Sequence, residues 1–291
     1  MPKDIRQDLL KWLRRTGYPF QLQAGKALQA AGWHVNYSRW YRDPNEGKQR
    51  EIDLHALTGA VSLGQASLFL SLCIECKTST SPWVGLLSRR DGAGRSFLAS
   101  APGLMTRRFA HAAELLEIDL PKLLPAGIPY ADSIVAGFID DSEDPGPEKS
   151  TKRKVKPNTD PTSPHSALLQ TVSAASALDD QLFNTAMEVR PETANATIVL
   201  PLLLFSGRLF AYGVDDQLRD DLTEVDALLV SVPTDNDDDS TLVGVVTEQA
   251  GAAIWKSMYT AAHDFCVAAP PFARRIADAL TLTEKQMAKQ L

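Results

Sequence analysis

"SLFLSLCIECKT" at Ser67–Thr78 carries no charge until Glu75 and Lys77 enter near its end. An apolar run of this length, with Gly64 before it and Pro82 after it, predicts a strand buried on both faces at the centre of a sheet covered by helices. Cys73 and Cys76 form a C-x-x-C, but alternation along a strand sends them to opposite faces. That is poor geometry for zinc or redox chemistry, so they read as small buried hydrophobes. The charged pair is harder to place. Glu75 and Lys77 share a face, and burying them costs free energy unless they pair or meet a cation.

Upstream, "EIDLHA" at Glu51–Ala56 lies in a strand predicted over Gln49–Thr58. Alternation puts Glu51, Asp53 and His55 on one face and Ile52, Leu54 and Ala56 on the other. If the two strands are neighbours, Asp53, Glu75 and Lys77 converge. Phosphodiester hydrolysis needs such a set: two carboxylates supply hard oxygens to Mg²⁺, and a lysine orients water or offsets developing negative charge. An ordinary Glu75–Lys77 pair within one strand is the alternative.

Working outward, residues 4–15 and 20–31 have apolar residues at helical spacing, with "TGYP" between them and Gly32 as the stop after the second. "WHVNYSRWY" at Trp33–Tyr41 is aromatic and β-branched, which predicts a strand, and "RDPNEGK" turns it into the next strand as a hairpin. "PWVGLLS" at Pro82–Ser88 reads as a short edge segment and "RRDGAGRS" as a basic glycine-rich loop. A helix is expected over 109–124 and a strand over 131–138. Residues 140–165 carry an acidic run, a basic run and five prolines with little apolar content, a charged linker or loop. Beyond it, 166–189 and 250–267 read as helices and 196–205, 208–214, 225–232 and 242–247 as strands, with "FSGRL" a tight hairpin through Gly207. The expected organisation is therefore a core over 1–139, the linker over 140–165 and a C-terminal α/β extension over 166–291. The strands of that extension are free to join the first sheet, so a separate domain is not required.

A chain of 291 residues, 44% hydrophobic and 23% charged, can bury a sizeable core. The most apolar stretch, "ATIVLPLLLF" at Ala196–Phe205, is too short to span a bilayer and contains Pro201. The first residues lack the apolar segment of a secretory signal, and three cysteines suit a reducing compartment, so a cytoplasmic protein with no membrane partner is expected. The net charge of −6 is uneven: residues 1–110 hold 16 Lys and Arg against 8 Asp and Glu, while 111–291 hold 14 against 28. A basic first part suits nucleic-acid contact, and an ordinary solvated surface is the alternative. No phosphate-binding glycine loop, H-E-x-x-H or serine-nucleophile elbow is present.

In order, a helix, Gly32, "WHVNYSRWY", "REIDLHA" and "LCIECK" resemble the PD-(D/E)xK, or restriction-endonuclease-like, nucleases over residues 16–88, about a quarter of the chain. The resemblance implies an α/β fold with a mixed β-sheet flanked by helices and a DNA-cutting, Mg²⁺-dependent site, with Mn²⁺ as a substitute. Asp53 and Glu75 would be metal ligands, the Cys76 backbone carbonyl a further one, and Lys77 the catalytic lysine. Arg50, His55, Arg89, Arg90 and Arg95 are the expected contacts to the nucleic-acid backbone. Many members carry a glutamate on the first core helix, where this chain offers Gln21 and Gln23, Gln21 fitting the spacing to Gly32 better. A neutral amide supplies less charge for a second cation, which leaves three readings: a one-metal enzyme, a weakened one, or a degenerate module that binds nucleic acid without cutting it. The implied partners are DNA, with a second copy of the chain or another component of a defence system as further candidates, the acidic second half then serving as a docking or regulatory part.

Overall fold

The computed structural model describes residues 5–13, 16–44, 46–58, 61–63, 66–88, 104–105, 134–140, 163–189, 194–214, 219–233 and 240–268. Helix α1 spans Ile5–Leu13 and buries none of its residues. Helix α2, Tyr18–Ala30, has Pro19 in its first turn and is anchored by fully buried Leu28. Gly32, φ +101°, stops it as expected, and a Cβ there would press on the Tyr259 ring. The helix expected over 109–124, the basic loop over 89–96 and most of the charged segment 140–165 lie outside the described residues.

The strands form one mixed sheet. Strands β1 (His34–Arg42), β2 (Gln49–Leu57) and β4 (Ala66–Thr78) are successive antiparallel neighbours, and β3 (Val61–Leu63) pairs only with β4. The β1–β2 hairpin closes as the sequence predicts: Gly47 at φ +67° donates to the Asp43 carbonyl, and Asp43 Oδ1 accepts from the Glu46 amide at 3.1 Å. On its other side β4 runs parallel to β8 (Ala194–Ser206) over its whole length, from Ala66↔Ala194 to Thr78↔Ser206. The C-terminal part thus continues the first sheet, and β4 is central, as its apolar run requires.

From β8 the sheet passes to β12 (Ser240–Thr247), β11 (Ala227–Pro233), β7 (Ile134–Asp140), β5 (Trp83–Ser88), β9 (Leu209–Val214) and β10 (Asp220–Glu224), while β6 (Leu104–Met105) pairs with β8. Two expectations fail here. "PWVGLLS" is not an edge, because β5 lies between β7 and β9, where Trp83 is 1% exposed. "FSGRL" is not a hairpin, because β8 and β9 do not pair. Instead the parallel pair β4/β8 turns a corner and continues as the parallel pair β5/β9: Ser79 N–H donates to Ser206 O, Trp83 N–H to Arg208 O, and Trp83 pairs with Leu209. Gly207 is needed there for closeness, since a Cβ would collide with the Phe205 ring and lie 3.0 Å from Ser79 O. Trp83 stacks on Phe205 across this corner, ring centroids 4.1 Å apart.

Helices cover both faces. Helix α3 (Pro164–Val189) packs Ala174, Ala175 and Leu178 against Tyr41, Ile52, Cys73 and Val199. Helix α4 (Glu248–Ala268) lies on the opposite face with α2, where the Trp33 indole N–H donates to Trp255 O at 3.1 Å and its ring meets Tyr259 edge-on. Among the described residues no helix is long and apolar enough to cross a membrane.

Candidate active site at the open end of two strands

Strands β2 and β4 are paired from Leu57↔Ser71 to Leu54↔Ile74, and the pairing stops there. One step further the register would set Asp53 against Glu75. Asp53 instead turns its carboxylate into the gap between the strands, where Oδ2 accepts the Cys76 amide at 2.8 Å. A side chain has replaced a main-chain partner. Because a strand residue's N–H and C=O leave the same edge, the Cys76 carbonyl also faces this gap.

The reason lies on the neighbouring strand. Tyr37 sits so close to α2 that a Cβ at Gly25 would collide with its ring, whereas Arg39, two residues on, donates to Gln181 of α3 at 2.8 and 3.2 Å on the other face. Two residues that strict alternation would align have gone to opposite sides. Ser38 between them has φ 54°, a left-handed conformation that reverses the alternation. Ser38 and Asp53 lie between the pairs Tyr37↔Leu54 and Arg39↔Ile52, so the reversal reaches both strands: Leu54 follows Tyr37 toward α2, and Ile52 packs under α3.

This corrects the expected grouping of Glu51, Asp53 and His55 on one face. His55, fully buried, points toward α3 beside Cys73. Arg39 Nη1 lies 2.9 Å from His55 Nδ1 and Ser71 Oγ 2.9 Å from Nε2. A guanidinium can only donate, so Nδ1 accepts and the ring proton sits on Nε2, donated to Ser71. Burial, then the Arg39 charge, pushes the His55 pKa down to about 4, leaving it neutral at physiological pH. A fully buried ring with both nitrogens occupied cannot contact nucleic acid. The expectation for His55 is wrong.

Glu75 and Lys77 lie toward α3. Lys77 Nζ reaches Glu75 Oε1 at 2.8 Å and Gln170 Oε1 at 3.3 Å. Glu75 is 3% exposed, and its second oxygen, Oε2, is buried with no hydrogen-bond partner. Burial, then the Asp53 charge, pushes its pKa up to about 7 against the pull of Lys77. Asp53 is raised by burial as well, opposed by its bond from the Cys76 amide and by Lys77.

A cavity of about 450 Å³ opens over this end of the strands, lined by Asp53, Glu75, Cys76 and Lys77 together with Gln21, Glu51 and Arg50. Gln21 is buried, and its side-chain amide donates to the Asp53 carbonyl, which the end of the ladder exposes. Gln23 is exposed and does not line the cavity, so of the two glutamines only Gln21 belongs to the site. Arg50 reaches the cavity but is held by Asp43 at 2.8 Å and Glu46 at 3.1 Å. Arg89, Arg90 and Arg95 lie outside the described residues. Tyr18, Trp40 and Gln170 also line the cavity and were not anticipated. In "WHVNYSRWY" an exposed tryptophan looks no different from a core one.

Among the described residues no three His, Cys, Asp or Glu side chains are grouped as a metal site. A Mg²⁺ ion does not require three, since it commonly uses one or two carboxylates and completes its octahedron with water and substrate oxygens. The carboxylates of Asp53 and Glu75 and the main chain of Cys76 line one cavity, and their oxygens are of the hard kind such an ion takes. Comparison of the chain with family models, curated proteins and solved structures found no match.

Proposed function

We propose that the protein is a Mg²⁺-dependent endonuclease acting on DNA, with Asp53, Glu75 and Lys77 as its catalytic residues. The observation that carries this reading is that Glu75, whose buried Oε2 has no hydrogen-bond partner, lines one cavity together with Asp53 and Lys77. Leaving a carboxylate oxygen buried without a partner costs on the order of 1–3 kcal/mol, a penalty tolerated where a ligand removes it. Asp53, Glu75 Oε2 and the Cys76 carbonyl would hold the ion, which when bound polarises a phosphate and acidifies water. Lys77 keeps Glu75 oriented through Oε1 and brings positive charge to the place where the phosphorane oxygens gain negative charge. The α/β architecture, with its mixed sheet between helices, supports the resemblance to PD-(D/E)xK nucleases without deciding the activity, because one fold hosts many functions. On this reading the protein works in the cytoplasm, in restriction or phage defence.

The test is incubation of the purified protein with plasmid DNA and Mg²⁺, beside Asp53→Ala and Lys77→Ala. Cleavage by the parent and loss in both variants is expected; cleavage that survives both substitutions defeats the assignment.

One observation favours a second reading, a nuclease-like module that binds DNA without cutting it. Gln21 places a neutral amide beside the site and commits its nitrogen to the Asp53 carbonyl, so α2 brings no carboxylate to the cavity through this residue. DNA left intact in Mg²⁺ and Mn²⁺, with binding that weakens steeply as salt rises, would select this reading.

A further inference from the structure

Trp33, Trp83 and Trp255 are 3%, 1% and 1% exposed, as large aromatic residues usually are in a packed core. Trp40 is 59% exposed and Tyr18 49% exposed, and both line the cavity that contains Asp53, Glu75 and Lys77. They reach it from separate elements, Trp40 from β1 opposite Glu51 and Tyr18 from the first turn of α2. Two exposed aromatics that line one polar cavity offer it flat apolar surface, and nucleobases present a matching surface.

The described cations of the cavity narrow the substrate. Duplex DNA is gripped chiefly through its phosphates by Arg and Lys, and the faces of its bases are covered by their neighbours in the stack. Here Arg50 is committed to Asp43 and Glu46, and Lys77 to Glu75. Among the described residues, what the cavity offers beyond these carboxylate-paired cations is the stacking surface of Trp40 and Tyr18, and stacking requires a base already out of the helix. We infer that the substrate is single-stranded DNA, or a single-stranded segment of a larger DNA, with one base stacked on Trp40 and Tyr18 so that the adjoining phosphate meets Asp53 and Glu75. The inference rests on the nuclease reading for what happens next, but the binding itself does not depend on cleavage. Base stacking on an aromatic side chain tolerates any sequence, so little base preference accompanies it.

The experiment titrates the full chain, in EDTA so that nothing is cut, with a single-stranded oligonucleotide and with the same sequence as a blunt duplex, following tryptophan fluorescence and anisotropy of a labelled strand. Expected are tighter binding of the single strand, quenching of fluorescence, and a loss of about tenfold or more in single-strand affinity in Trp40→Ala, with a smaller loss in Tyr18→Ala. Trp40→Phe should retain most of the affinity, since it keeps a ring. Because Trp40 is exposed, Trp40→Ala should melt with the parent, which separates lost stacking from lost folding. Equal affinity for duplex and single strand, or unchanged single-strand binding in Trp40→Ala, overturns the inference whether or not the protein cuts DNA. A mononucleotide that competes as well as the oligonucleotide also overturns it, by making the occupant a free nucleotide. If Asp53→Ala and Lys77→Ala leave cleavage intact while the Trp40→Ala binding defect appears, the nuclease assignment fails and the stacking platform stands.

Discussion

The same pair of strands, β2 and β4, holds two polar clusters that differ in one respect. At the paired end, buried His55 and Ser71 and half-buried Arg39 form a group in which both ring nitrogens of His55 are satisfied. Two residues along, at the open end, Asp53, Glu75 and Lys77 line a cavity, and the buried Oε2 of Glu75 has no hydrogen-bond partner. A closed network rigidifies a core, and its removal is a matter of stability. An incomplete one costs stability, and on the proposed reading a bound cation would remove that cost. Burial of charge is common to both clusters, so the proposed site rests on the incomplete satisfaction of Glu75 and on the cavity that Glu75 lines.

The largest expected effect falls on the open end. Asp53→Asn keeps the shape of the side chain and removes the charge, so DNA cleavage should fall at least about 100-fold, close to 3 kcal/mol on the barrier, with the circular dichroism spectrum unchanged. At the paired end His55→Ala should cost about 2 kcal/mol of stability in urea melts by stranding Ser71 and Arg39, while cleavage per folded molecule stays within about twofold. If His55→Ala abolished cleavage at intact stability, the contrast between the clusters would collapse. Ser38→Val puts a β-branched residue at φ 54° and should destabilise by about 1–2 kcal/mol. It should also reduce cleavage, because the reversal at Ser38 is what frees Asp53 from the regular face.

The smallest effect is the most specific. The Glu75 pKa is raised from 4.5 to about 7, so the folded state binds a proton more tightly than the unfolded one across that window. Its contribution favours the fold below about pH 4.5 and is lost as pH rises through about 7. Glu75→Gln should therefore melt with the parent near pH 4 but roughly 2–4 °C above it at pH 8, about 1 kcal/mol for a domain of this size. Mg²⁺ should raise the parent's melting temperature at pH 8 and not at pH 4, and should leave Glu75→Gln unmoved. His55 acts oppositely: its pKa is depressed to about 4, so its contribution is present above about pH 6.5 and lost on acidification through about 4. His55→Gln should remove that acid-side loss while leaving the Mg²⁺ response at pH 8 unchanged.

Much of this arrangement was legible in the residues. An apolar run ending in Glu75 and Lys77 could only be a central strand, and the polar turn Asp43–Lys48 closed the β1–β2 hairpin as turn chemistry requires. The failures come where distant segments override a local pattern. His55 was grouped with Asp53 because alternation was carried through a position where it reverses, and nothing about Ser38 in "NYSRW" announces φ 54°. "FSGRL" has the residues of a hairpin, yet the glycine serves close approach at a corner between strands that never pair.

The residue pattern alone gave the main strands and helices around the site and put two carboxylates and a lysine on two of those strands, β2 and β4. Those properties are local, set by side-chain periodicity and turn residues over a few positions. The tertiary structure decided where the β2/β4 ladder stops, that β8 runs parallel beside β4, and that Gln21, Trp40 and Tyr18 reach the same cavity as Asp53. These follow from pairings between distant segments, whose free energy depends on what the rest of the chain has already covered. No window of the sequence contains it.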